Sequence, residues 1–217
     1  MSGIFISFEG PDGAGKTTAI KRIMPQLQKM TDKEVVLSRE PGGSPISEKI
    51  RKIILDIHDE EMDPRTEALL YAASRRQHLV DVILPTLNEG KVMLSDRFVD
   101  SSIAYQGGGR EIGTKEVANI NNFAIEGHLP DLTIYFDVTP GVGLARIKKD
   151  HEGEMDRLEK AAISFHNRVY DSYAEIVKQN PNRIKTVNAE QSPDKVAADA
   201  LNLITTRFPK IFKVQGE

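Results

Sequence analysis

At 217 residues, with 39% hydrophobic and 28% charged side chains, the chain has the length and balance of one soluble globular domain with a real core. Its net charge of −3 argues against a nucleic-acid-binding face, which needs a basic excess, so any phosphate site must rest on a few local cations. Cysteine is absent, which removes disulfides, cysteine metal sites and thiol nucleophiles and suits the cytoplasm; no apolar run approaches the roughly 20 residues of a membrane span.

The start, Met1-Ser2-Gly3-Ile4, has no basic region or long apolar segment, so it is not expected to act as a secretory signal. Residues 4–8 form a short apolar run, read as a buried parallel strand. It leads into Gly10-Pro11-Asp12-Gly13-Ala14-Gly15-Lys16-Thr17-Thr18, a Gly-x-x-x-x-Gly-Lys-Thr phosphate loop, and then into helical spacing at Ile20, Ile23, Met24 and Leu27. Strand, loop and helix in that order are what a bound triphosphate demands. Glycines let backbone N–H groups turn around an anion, Lys16 reaches the outer phosphates, and the Thr17 hydroxyl suits magnesium. The helix N-terminus adds partial positive charge.

Further strands are expected at 34–38, 91–95, 132–138 and 184–187. Helices are expected around Ile46, Ile50, Ile53 and Ile54, along a long segment from Asp63-Pro64 to just before Gly90, and at 114–126, 140–149, 159–179 and 193–206. This alternation predicts an α/β three-layer sandwich, a five-stranded parallel sheet with helices on both faces and ligands at the carboxyl ends of the strands. The whole chain reads as one domain, with a tail beyond residue 206 that has no clear period and is expected to dock loosely.

After the second strand, Arg39-Glu40-Pro41-Gly42-Gly43-Ser44 forces a sharp exit at the ligand edge and presents a charged pair; a plain turn capped by Ser44 has the same composition. On the long helix, Tyr71 and Arg75 share a face suited to stacking on a base and reading its edge, although a core tyrosine beside a surface arginine fits the spacing equally. The third strand ends in Ser95-Asp96-Arg97-Phe98. Asp96 falls close to the magnesium that Thr17 would hold, and Arg97 can bridge phosphates with its planar fork; a structural Asp–Arg pair is the alternative. The polar segment 148–158, with Lys148, Lys149 and Arg157, reads either as a solvated loop or as a mobile lid carrying cations over the phosphates. The five histidines have no metal-binding spacing.

Taken in order, Phe8-Glu9-Gly10-x-Asp12-Gly13-x-Gly15-Lys16-Thr17-Thr18, Arg39-Glu40-Pro41-Gly42-Gly43, Ala72-Ala73-x-Arg75 and Asp96-Arg97-Phe98 with Ser101-x-x-x-Tyr105-Gln106 resemble bacterial thymidylate kinases. Weaker echoes at Pro130-Asp131-Leu132, in the lid segment and at Val187-Asn188-Ala189 extend the resemblance over nearly the whole chain.

The resemblance implies a P-loop, nucleoside monophosphate kinase-like fold and in-line transfer of the γ-phosphoryl group of ATP-Mg to dTMP, giving dTDP for dTTP synthesis. It implies that the loop from Gly10 to Thr18 cradles ATP, that Asp12 organises the acceptor end, and that Arg97 links donor and acceptor phosphates. Glu40 and Arg51 match residues around the deoxyribose and the dTMP phosphate. Tyr71 stands where the family usually has phenylalanine under thymine, Arg75 where a thymine carbonyl is read, and Ser102 and Gln106 where the other edge is read. Tyr105 matches an aromatic that crowds the sugar 2′ position. Some relatives carry a loop arginine at the place of Gly13; this chain resembles those that supply the cation from the lid, with Arg157 the candidate. Arg146 is expected to border ATP, and the Ala189-Glu190-Gln191 turn to run along the adenine. A homodimer through the long helix around residues 67–87 is also implied. The rivals are a kinase for another small nucleotide and a nucleotide-dependent switch, although the Asn-Lys-x-Asp guanine motif of such switches does not occur.

Overall fold

The computed structural model describes residues 3–56, 62–150, 158 and 162–213. Its centre is a parallel sheet of β1 (Ile4–Glu9), β2 (Val35–Arg39), β3 (Val92–Asp96), β4 (Leu132–Asp137) and β5 (Ile184–Asn188), in the order β2-β3-β1-β4-β5. The expected strands are all present. All but β4 run one residue further than expected, ending on Glu9, Arg39, Asp96 and Asn188. An apolar run stops where polar side chains begin, but the parallel ladder still pairs the polar residue. Those last residues are the floor of the site, and Asp96 lies in register with both Phe8 and Arg39.

Side chains alternate across β1 and β3, which produces the three layers. Ile4, Ile6, Phe8, Val92 and Leu94 face α1 (Lys16–Lys29) and α9 (Pro193–Arg207). Phe5 and Met93 face the opposite way, toward Leu79, Ile83 and Ile125. That second layer holds α3 (Pro64–His78) and α6 (Thr114–Ile125). Asp63 caps α3 by accepting hydrogen bonds from the backbone of Arg65 and Thr66, with Pro64 in the first turn as its fixed φ favours. Around the sheet lie α2 (Pro45–Ile54), α7 (Pro140–Asp150) and α8 (Ile163–Gln179).

Two expectations need correcting. The long helix is not uniform: α3 passes through a π-helical segment, Leu79–Ile83, into α4 (Leu84–Asn88). The tail is not loose through residue 213: Phe212 is 1% exposed within the main core, and the Lys213 N–H donates to the Met30 carbonyl at 2.8 Å. Fully buried Phe212 contributes roughly 1.5–3 kcal/mol, and Phe208 and Ile211 pack partly buried against the same core. A short α5 (Val99–Ser102) and a second π-helical segment, Ile103–Gly109, were not expected; three successive glycines concealed them. Among the described residues, no helix is long and apolar enough to cross a membrane.

Candidate active site

The phosphate loop joins β1 to α1, with Gly10, Gly13 and Gly15 at φ of 143°, 74° and 81°. Side chains at these angles are strained, and at Gly13 there is also no space: a Cβ there would run into the Gly143 carbonyl of α7. Conversely, a Cβ on Gly143 would lie 2.6 Å from the Asp12 carbonyl oxygen. Loop and helix therefore meet glycine to glycine, which leaves no place for a loop arginine. Ala14 is buried beneath the loop, while Thr17 and Thr18 are exposed at its mouth. Lys16 donates to the carbonyls of Gly10 (2.8 Å) and Pro11 (2.9 Å). Burial and the neighbouring Arg97 charge push its pKa down to about 8, against the opposing pull of Asp12, Asp96 and Glu9. Arg146 of α7 donates to the Ala189 carbonyl (2.9 Å) and to that of Gly13 (3.4 Å), tying the loop to the turn after β5.

The Thr17 hydroxyl donates to Asp96 at 2.9 Å. No cluster of three or more His, Cys, Asp or Glu side chains suited to a metal exists among the described residues. Magnesium does not require one, because it keeps several waters and takes phosphate oxygens alongside one or two protein oxygens. Thr17 and Asp96 fit that demand.

Beside the loop opens a cavity of about 240 Å³, bounded by Glu40, Arg51, Tyr71, Arg75, Arg97, Tyr105 and Gln106 among others. Its far wall is a buried polar network. Glu40, at the cis Glu40–Pro41 bond, accepts from Arg75 Nε (2.7 Å) and faces His78 Nδ1 (2.9 Å), whose Nε2 meets the Ser38 hydroxyl (2.7 Å). Arg75, 1% exposed, also donates to Ser102 (3.0 Å), Asn121 and the Phe98 carbonyl (3.0 Å). These contacts engage four of the five guanidinium hydrogens and leave one for the cavity. Gln106 donates to Glu67 (2.9 Å), which Arg110 also pairs, so the amide is held in one orientation. Arg51 donates to the Pro41 carbonyl at 2.7 Å. Such a network costs desolvation, but it fixes geometry before any ligand arrives.

The loop and the cavity meet at Arg97. Its guanidinium pairs with Asp12 (2.5 Å), donates to the Gly10 carbonyl (3.0 Å) and Ser101 (2.9 Å), and lies 5.0 Å from the Tyr105 ring centroid. The Tyr105 hydroxyl donates to the other Asp12 oxygen at 2.7 Å. Burial alone would raise the Asp12 pKa, but the Arg97 and Lys16 charges and the Tyr105 hydrogen bond outweigh it and hold the carboxyl below its usual value. Arg97 itself has φ 72°, a left-handed conformation that costs a non-glycine residue on the order of 1–3 kcal/mol and must be held by its surroundings.

Most of the expected site residues thus surround one cleft. Ser102 is different: it is 1% exposed behind Arg75, and Ser101 reaches the cavity in its place. Arg157 lies outside the described residues; Leu158, the next residue, is 7% exposed and borders the cavity. The sequence reading did not assign Glu9, His78, Asn121, Glu67 or Tyr173. Glu9 left a signal, since it is a charged residue ending an apolar strand, and His78 lies one helical turn from Arg75; Asn121 and Tyr173 left none.

The family model for thymidylate kinase matches residues 8–200. A thymidylate kinase of Lacticaseibacillus casei is 53% identical over 98% of this chain and its own full length, and one of Enterococcus faecalis is 51% identical over 98% of this chain and its own full length. The crystal structure of a thymidylate kinase from Ehrlichia chaffeensis superposes with a TM-score of 0.76 at 30% identity, covering 94% of this chain and 99% of that one. With a family match across most of its length and relatives above half identity, this chain belongs to the thymidylate kinase family.

Proposed function

We propose that the γ-phosphoryl group of ATP moves directly and in line onto dTMP at the junction marked by Arg97. Phosphorylation of dTMP by ATP, which supplies dTTP synthesis, is the activity of the family to which the chain belongs. The residue roles are our reading. The loop from Gly10 to Thr18 holds the ATP phosphates with Lys16 on the outer ones, and Arg146 steadies the loop against the adenine-side turn. Glu40, Arg51, Tyr71, Arg75, Tyr105 and Gln106 hold dTMP, and Ser102 acts through Arg75. Asp12 orients Arg97, whose fork spans both phosphate sites. Magnesium held near Thr17 and Asp96 would supply charge neutralisation on the phosphates. Phosphoryl transfer needs positioning and charge compensation more than covalent help, and these side chains supply both.

The observation that carries this reading is the Asp12–Arg97–Tyr105 cluster, which is wall to the phosphate loop and to the cavity at once. A panel of nucleoside monophosphates with ATP-Mg tests it. The expected result is fastest turnover of dTMP; faster turnover of dCMP or dAMP would overturn the acceptor assignment.

We read residues 1–217 as one kinase unit acting in the cytoplasm, with a lid at about 148–158 that brings Arg157 over ATP. The support is the closed position 13 in the loop and the basic end of α7 at Lys148 and Lys149. We also read the enzyme as a homodimer through the face of α3 and α6. There Leu69 is 56% and Phe123 88% exposed, more apolar surface than a solitary face requires. Sedimentation at micromolar concentration should give twice the chain mass, and a monomer would remove this reading.

A further inference from the structure

We infer that Glu9 is a positioning residue for phosphoryl transfer, holding Arg97 in its left-handed backbone conformation and aiming its guanidinium at the meeting point of the two phosphate sites. The inference rests on the role read for Arg97.

Glu9 grips Arg97 at both ends. On the backbone side, the Arg97 N–H donates to the Phe8 carbonyl at 2.9 Å, and the next N–H, that of Phe98, donates to Glu9 Oε1 at 2.7 Å. The last two residues of β1 therefore hold the two amides that flank the strained dihedrals. On the side-chain side, Glu9 Oε2 accepts from the Ser101 hydroxyl (2.5 Å) and the Tyr173 hydroxyl (3.0 Å). Both hydroxyls also accept from Arg97 Nη1, at 2.9 and 3.4 Å. A hydroxyl that gives its hydrogen to Glu9 turns its lone pairs toward the guanidinium. The carboxylate thereby sets the direction of the chain from Arg97 through Ser101 to Glu9.

Glu9 does none of this as a substrate ligand. It is 1% exposed and does not border the cavity. Nor, among the described residues, does it have a salt bridge of its own: the nearby Arg183 pairs with Asp100 at 2.6 Å, and Arg97 pairs directly with Asp12. A buried carboxylate that faces the Arg97 guanidinium through two hydroxyls is costly to keep for packing alone. What it holds is the arginine at the junction.

The test is a double-mutant cycle in the full-length enzyme. Glu9→Gln keeps the size and an oxygen for the Phe98 N–H but replaces the acceptor facing Ser101 and Tyr173 with a donor. The expected result is a fall in kcat of about 10-fold or more, with KM for dTMP and ATP within about threefold. In an Arg97→Ala background the same change should alter kcat by less than about twofold, because its target is gone. An unchanged kcat for Glu9→Gln, or an equal loss in both backgrounds, would overturn the inference. Arg97→Ala with full turnover would overturn the reading of Arg97 together with this inference; full turnover of Glu9→Gln beside a crippled Arg97→Ala overturns the inference alone. Should Glu9→Gln not fold, Ser101→Ala, which keeps Glu9 and breaks the relay, decides by the same criteria.

Discussion

The two halves of the cleft are built by opposite means. The donor half is a backbone object: three glycines with positive φ, a turn packed against Gly143, and one lysine parked on the carbonyls of Gly10 and Pro11. The acceptor half is a side-chain object, with Glu40, Arg75, His78, Ser102, Asn121, Gln106 and Glu67 bonded to one another from β2's exit, α3, α5, the π-helical segment and α6. The first half takes its shape from backbone dihedrals, the second from side chains that hydrogen-bond to one another. Function and stability should therefore separate on one side and travel together on the other.

The sharpest way to break that contrast is a pair of substitutions. Lys16→Ala should lower turnover by about 10²–10³-fold with little change in unfolding free energy, since it removes phosphate charge compensation and two hydrogen bonds made in passing. Arg75→Met should impair dTMP use and also cost on the order of 3 kcal/mol in urea unfolding, because Glu40 is left buried without its guanidinium. If Arg75→Met left stability unchanged, the acceptor wall would not be prewired.

A smaller effect comes from Glu9, between the halves. Burial and the Asp100 charge push its carboxyl up from the usual 4.5 to about 7 in the folded protein. Between those two values the folded state holds a proton the unfolded chain has released, and above about pH 7 the ionised carboxylate that accepts from Ser101 and Tyr173 prevails. The stability tied to this group is fully present below about pH 4.5 and is lost as pH rises through about 7. Relative to Glu9→Gln, which has no carboxyl to titrate, the wild type should lose on the order of 1–3 kcal/mol between about pH 5 and about pH 8. Parallel stability curves would contradict it. Smallest of all, Tyr105→Ala should narrow the preference for dTMP over its ribose counterpart by about tenfold, measured as a ratio of kcat/KM. An unchanged ratio would leave Tyr105 as a partner of Asp12 and Arg97 with no part in sugar selection.

The same contrast explains what the sequence made readable. A backbone-built site needs its residues consecutive, so Gly10 through Thr18 announced itself, and so did the sheet that presents it. A side-chain-built site gathers residues from distant elements. Glu40, Arg75 and Gln106 were found through the family resemblance, but Asn121, which holds Arg75, and Glu67, which holds Gln106, have no local pattern. Ser101 and Ser102 are adjacent, and only the short α5 decides which faces the cavity and which backs Arg75. Phe212 was missed for the converse reason, since three apolar residues outside a regular helix give no period even when they complete the core.

The central claim, that donor and acceptor meet at Arg97, is tested most directly by rapid-quench single turnover of ATP and dTMP with the wild type and Arg97→Ala. The account predicts a transfer step slower by about 10²-fold or more, with dissociation constants for both nucleotides within about threefold of the wild type. A transfer step at the wild-type rate, or a loss confined to binding, would contradict it.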